Sequence, residues 1–367
     1  MNGGNFVRRL CGGCALLVWI ALVASLAQCD SGSVAEAIDM AAGLPDLSGQ
    51  PDLSQPPDLM PPLPMLRLVA GGLGGRGNVD GVGTASRFRT PMGVTVDGTG
   101  TLYVVDNQDN TLRQMVLSTG AVTAVAGLSG QIGSVDGSGT AARFRAPGAV
   151  AADGAGNVYI ADSSNHTIRK VVIATGAVTT LAGMAGVPAG TDGTGASARF
   201  NTPQGLVYDG VGNLYVADST NGTIRQVVVA TGAVTTLAGT AGTIGSTDGT
   251  GAVARFKQPV GVAFDGAGAL YVCDSFNQTI RKIVIATGVV TTVAGTAGMS
   301  GLTDGTGSVA RFNIPGGLAL DRSGNLYIAD TNNHSIRKLV LSTGAVTTVA
   351  GASLEQASVD GIGGASR

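Results

Sequence analysis

Five aspartates (Asp106, Asp162, Asp218, Asp274 and Asp330) each precede an arginine by seven positions, at Arg113, Arg169, Arg225, Arg281 and Arg337. A carboxylate and a guanidinium at one spacing could form a ring of catalytic acids or a repeated ion pair. Across a hairpin with a four-residue loop, that spacing brings the two side chains diagonally within reach. A residue present in every copy serves the copy itself. The expectation is therefore a structural pair, worth ~0.2–1 kcal/mol in each copy. Six Asp-Gly-x-Gly loops begin at Asp80, Asp136, Asp192, Asp248, Asp304 and Asp360 and raise the question of calcium. One carboxylate per loop falls short of the six to eight oxygens that calcium takes. An Asx-turn is expected there instead.

Other chemistry fails on inventory. The two histidines, His166 and His334, stand three repeats apart, far beyond the reach of one zinc. Cys11 and Cys14 lie in an apolar N-terminal run. Cys273 replaces the Val or Ala of the other copies and reads as a small core residue. No Ser-His-Asp or Cys-His set can be assembled. The reading is no catalytic residue, no metal and no cofactor. The net charge of −2 makes nucleic acid an unlikely partner.

The elements that carry these residues repeat every 56 positions, with tyrosines at Tyr103, Tyr159, Tyr215, Tyr271 and Tyr327. Within one period, VYIAD, TIRKVVI and VTTLA are rich in β-branched residues and separated by turn residues, and a fourth strand precedes them. DGAGN and ATG are tight hairpin connections. Four antiparallel strands per unit, repeated radially, predict an all-β fold, a β-propeller. Complete repeats start near 87, 143, 199, 255 and 311. LRLVAG (66–71) is in phase with the last strand of a unit, and the chain beyond Gly351 enters a further one. The expected architecture is therefore a six-bladed ring with an incomplete sixth blade, needing about 30 more residues. A five-bladed ring with one stray strand is the alternative.

Ahead of the propeller, residues 1–28 have a signal-peptide layout, with Arg8 and Arg9 before an apolar run. The run ends in LAQC (26–29), similar to a bacterial lipobox although Gln28 takes the place of the usual small residue. Cys29 is the expected lipidation site; cleavage after Ala27 or an uncleaved anchor are alternatives. Residues 29–65 repeat Pro-Asp-Leu three times and read as a lipid-anchored, proline-rich linker. These features place the protein in a bacterial cell envelope, with secreted or periplasmic release as the alternative.

The pattern P-x-G-(apolar)3-D-x-x-G-N-(apolar)-Y-(apolar)-A-D-x-x-N-x-x-I, as in Asn201–Val227, resembles the NHL repeat. Asn-His itself stands only at Asn165-His166 and Asn333-His334. The resemblance spans 66–367, its added tail looks like the long bacterial version found in exported proteins, and it implies a six-bladed propeller used mainly as a binding platform for protein, peptide or RNA. Lyases and lactonases on similar propellers need His, Glu or Asn converging at the central channel. Here the inner strands offer mostly Val, Ala, Leu and Gly, with Thr95, Tyr208 and the strand-ending Asp as polar exceptions. The expectation is a non-enzymatic binding module for an unknown protein, peptide or glycan; a propeller lyase or lactonase, and a structural surface spacer, are the alternatives. Partner contacts are expected where the copies differ on one loop face: Arg76, Gln108, His166, Phe276, His334 and Glu355, with Met92 and Gln204 at the channel mouth.

Overall fold

The structure is a computed structural model that describes residues 65–66, 68–72, 75–351 and 361–362. Five antiparallel sheets follow one another along the chain. Blade 2 shows the pattern: Ala149–Ala152 is innermost, then Asn157–Asp162, Thr167–Val172 and the outer Ala177–Gly183. A two-residue strand, Gly137–Ser138, pairs on the outer edge at Ala177–Val178 and covers an otherwise bare edge.

Local chemistry explains each turn. Asp153 Oδ1 accepts N–H bonds from Ala155 (2.8 Å) and Asn157 (3.0 Å), while Asn157 Nδ2 donates to its Oδ2 at 2.7 Å. This is an Asx-turn that fixes the first hairpin. Between the third and outer strands the register shifts at Ile168/Arg169, and the same shift recurs in every blade. Such a bulge re-aims a side chain. Here it accompanies an arginine that is fully buried in all five blades.

The hydrophobic core lies between blades rather than inside one. Tyr159, Ala161 and Ile168 of blade 2 pack with Phe200, Leu206 and Leu214 of blade 3. The pairs formed by blades 1 and 2, 3 and 4, and 4 and 5 repeat this arrangement.

The propeller is five-bladed, which corrects the expectation of six blades with an incomplete sixth. No sixth four-stranded sheet is present among the described residues. The strand expected to lack partners has them. Met65 pairs with Ile362 and Leu66 with Gly361 in a two-stranded ribbon. Val69 and Ala70 then pack against Leu102, Val104, Met115 and Val122 of blade 1. Gly71 N–H donates to the Gly83 carbonyl at 3.1 Å, as Gly127 does to Gly139 one repeat later. Within the described residues, Val69 and Ala70 of this segment are thus packed on blade 1.

Candidate functional site

At one end of the propeller the inner strands begin, the short loops of the type 163–166 turn, and the long inter-blade loops cross. The blades are tied together here by side chains at loop starts. Asn107 Nδ2 donates to the Pro147 carbonyl at 3.0 Å, Ser163 Oγ to Pro203 at 2.5 Å and Ser275 Oγ to Pro315 at 2.6 Å. Each bond crosses to the next blade and fixes the proline from which the next inner strand starts. These bonds tie blades 1 to 2, 2 to 3 and 4 to 5 at the channel mouth.

Two of the sequence candidates meet in that mouth. Met92 and Gln204, both half-buried, line a cavity of about 110 Å³ together with Val94, Leu206, Val260 and Leu318. Gln204 supplies the sole polar side chain of the lining; the remainder is apolar or glycine. Close approach of the inner strands demands those glycines. A Cβ on Gly205 would lie 1.8 Å from the Val260 carbonyl oxygen. Gln108 and Phe276 occupy one position of a second ring with Ser164, Thr220 and Asn332, and Phe276 is 41% exposed. Arg76 is exposed on an inter-blade loop, and Glu355 lies outside the described residues.

His166 ties its blade to the next. His166 closes its turn in the left-handed region at φ 60°, and its Nδ1 accepts the Thr202 N–H of blade 3 at 3.0 Å. Asn110 does the same for blade 1, its Oδ1 accepting the Ala146 N–H at 2.8 Å. Burial, then the charge of Arg145, holds the His166 imidazole below its usual value, which suits an acceptor nitrogen. His334 occupies the matching position at φ 52° and is lowered by burial. Neither is a loose surface group.

Sequence reading missed two features of this end. One is an apolar rim on the inter-blade loops: Ile132, Val187, Ile244 and Met299, each more than 40% exposed. The other is the charge. Arg89, Arg145 and Lys257 stand just before the prolines of the mouth, while Asp97, Asp153, Asp209, Asp265 and Asp321 lie in the hairpins at the opposite end. Both signals were present as residue types, but their common location depends on which loops share an end.

The Asp–Arg pairs are real in four blades, at 2.7–2.9 Å, with both partners fully buried. They are thus buried pairs, for which surface values do not hold. Burial pushes Asp162, Asp218 and Asp274 up to about 6, with the asparagine, backbone and guanidinium donors holding back a larger rise. The Asp-Gly-x-Gly aspartates are not local Asx-turns: Asp136 Oδ1 accepts from Arg169 Nη2 at 2.7 Å, and its Oδ2 from the Thr180 N–H at 3.1 Å. Each arginine also lies over the phenylalanine of its blade, at 4.7–5.4 Å from the ring centroid. Cys273 is fully buried, and burial pushes its thiol well up. Among the described residues no three His, Cys, Asp or Glu side chains are grouped to hold a metal.

The model of the NHL repeat matches residues 144–171 and 312–339, one stretch in blade 2 and one in blade 5. The human NHL repeat-containing protein 2 is 31% identical over 316 residues, 78% of this chain and 43% of its own length. The Arabidopsis thaliana chloroplast protein SUPPRESSOR OF QUENCHING 1 is 31% identical over 287 residues, 75% of this chain and 27% of its own. The chain thus spans less than half the length of these curated relatives. An auxiliary nutrient binding protein of Bacteroides thetaiotaomicron superposes with a TM-score of 0.58 at 16% identity, covering 77% of this chain and 64% of that one. That likeness is one of fold.

Proposed function

We propose that this NHL-repeat propeller is a non-enzymatic binding module that takes its ligand at the channel mouth. The observation that carries this reading is the mouth itself: an apolar cavity with one amide, Gln204, ringed by positions that differ from blade to blade. Ligand sites are concave and mostly apolar, with few polar groups that set orientation. Such a mouth accepts a small apolar group, the amide orients it, and Arg89, Arg145 and Lys257 favour an acceptor-rich partner around it. A protein, peptide or glycan of the envelope fits this description. The Bacteroides protein that shares the fold is described as an auxiliary nutrient binding protein, a parallel of architecture alone.

Display on the bacterial envelope belongs to the same proposal and rests on the N-terminal motif. Cys29 would carry the lipid and the proline-rich linker would hold the propeller off the membrane.

The test is capture from an envelope extract by immobilised protein, comparing wild type with the triple variant Met92→Ala, Gln204→Ala, Phe276→Ala. A species retained saturably by the wild type and lost from the folded variant supports the reading. Equal retention by both, or no saturable retention, overturns it.

A further inference from the structure

Blade 1 breaks the rule that the other four obey. In blades 2–5 an asparagine three positions after the strand-ending aspartate donates from Nδ2 to the aspartate Oδ2 at 2.7 Å. The same nitrogen donates to a loop carbonyl, that of Gly133 in blade 2, at 2.6 Å. Blade 1 has Asp109 at this position, an acceptor where a donor belongs, and it is 2% exposed beside the fully buried Asp106.

The surroundings rearrange accordingly. Asp106 turns to the backbone, Oδ2 taking the Arg89 N–H at 2.7 Å and Oδ1 the Thr90 N–H at 2.8 Å. Arg113 keeps its bond to Asp80 at 2.7 Å and bonds the Arg87 and Val79 carbonyls, but the ion pair with the strand-ending aspartate, present in the other blades, is not formed. Asp109 Oδ1 accepts from Ser129 Oγ at 3.1 Å and lies 3.8 Å from Arg89 Nη1. Its Oδ2 is buried and has no donor.

A buried oxygen without a donor is uncommon and needs a physical cause. We infer that the Asp106 carboxyl holds a proton in the place where the other blades put an asparagine N–H, so that blade 1 weakens when the proton leaves. The charged groups around the pair are Arg89 at the strand entry and Arg113 on the third strand, the latter already engaged by Asp80. The Asp109 charge beside it disfavours ionisation of Asp106, and a carboxyl O–H would supply the missing donor.

The sign follows from Asp106, whose carboxyl is raised by burial first, with the Asp109 charge adding to the rise. A raised carboxyl contributes stability that is complete below the unfolded value of 3.8 and is lost as pH rises through the folded value. The experiment follows thermal melting of the full chain from about pH 4 to about pH 8, for wild type, Asp109→Asn and Asn165→Asp. Asp109→Asn restores the residue of four blades, and should melt several degrees above wild type at the alkaline end and close to it at the acid end. Asn165→Asp should import the same pH-dependent loss into blade 2. The infrared band of a protonated carboxyl should persist to higher pH in wild type than in Asp109→Asn. A difference that is constant with pH, or none, overturns the inference. So does stabilisation of wild type by calcium at alkaline pH that Asp109→Asn lacks, since that outcome assigns the gap to a cation.

Discussion

Arg225 and Phe200 are both fully buried, with the guanidinium carbon 5.2 Å from the ring centroid. The arginine stacks on the ring and bonds two aspartates at once: Asp218 at 2.8 Å through Nη1 and Asp192 at 2.7 Å through Nη2. One cation therefore joins a hairpin, an inter-blade loop and the phenylalanine that follows that loop. Lysine could not repeat this, because its ammonium is a point charge without the planar fork.

Removing that cation leaves Asp218 buried and uncompensated. Arg225→Met should cost about 3–5 kcal/mol, and Arg225→Lys should recover only part of it. Urea denaturation followed by circular dichroism measures both. A loss under 1 kcal/mol for Arg225→Met would mean that the pair contributes no more than an exposed one.

The His166 clasp gives a pH signature. Its folded value lies below 6.5, so its contribution is present above 6.5 and is lost as pH falls through the folded value. His166→Asn, which copies Asn110 of blade 1, should show a smaller decline in melting temperature on acidification than wild type. His166→Ala should melt lower at every pH, because the Thr202 N–H loses its acceptor. Parallel curves for wild type and His166→Asn would reject the clasp.

Gly205 tests how tightly the inner strands meet. An added Cβ would fall 1.8 Å from the Val260 carbonyl oxygen, and no flexible side chain is there to yield. Gly205→Ala should cost about 1–3 kcal/mol or more and distort the mouth that Gln204 lines. Unchanged stability would show that blades 3 and 4 can separate freely at the channel.

Anchoring is open to a direct label. Metabolic palmitate should mark the wild type and leave Cys29→Ala unmarked; equal labelling would place the lipid elsewhere or remove it from the account.

Chelation should leave the melting temperature unchanged, since the loop aspartates engage arginine and threonine donors in place of metal. A drop of several degrees with EDTA would show that these loops hold a cation.

What repeats at short range is legible in the residues alone. The period of 56, the four strands of a blade, the turn glycines and the seven-residue Asp–Arg spacing are all local, so one copy explains the rest. What it could not show are contacts between segments whose separation has no simple geometric meaning. Asp136 and Arg169 keep a constant offset of 33 residues in every copy, yet the offset alone does not tell that the loop folds back over the strand. The gathering of Met92, Gln204 and Val260 at one mouth likewise required three blades to be placed. The number of blades is the plainest case. Periodicity counts units along the chain, whereas closure depends on the angle between neighbours. That angle depends on inter-blade packing and on glycines such as Gly205 that let inner strands touch. These are tertiary contacts, and small differences in them separate one ring size from another.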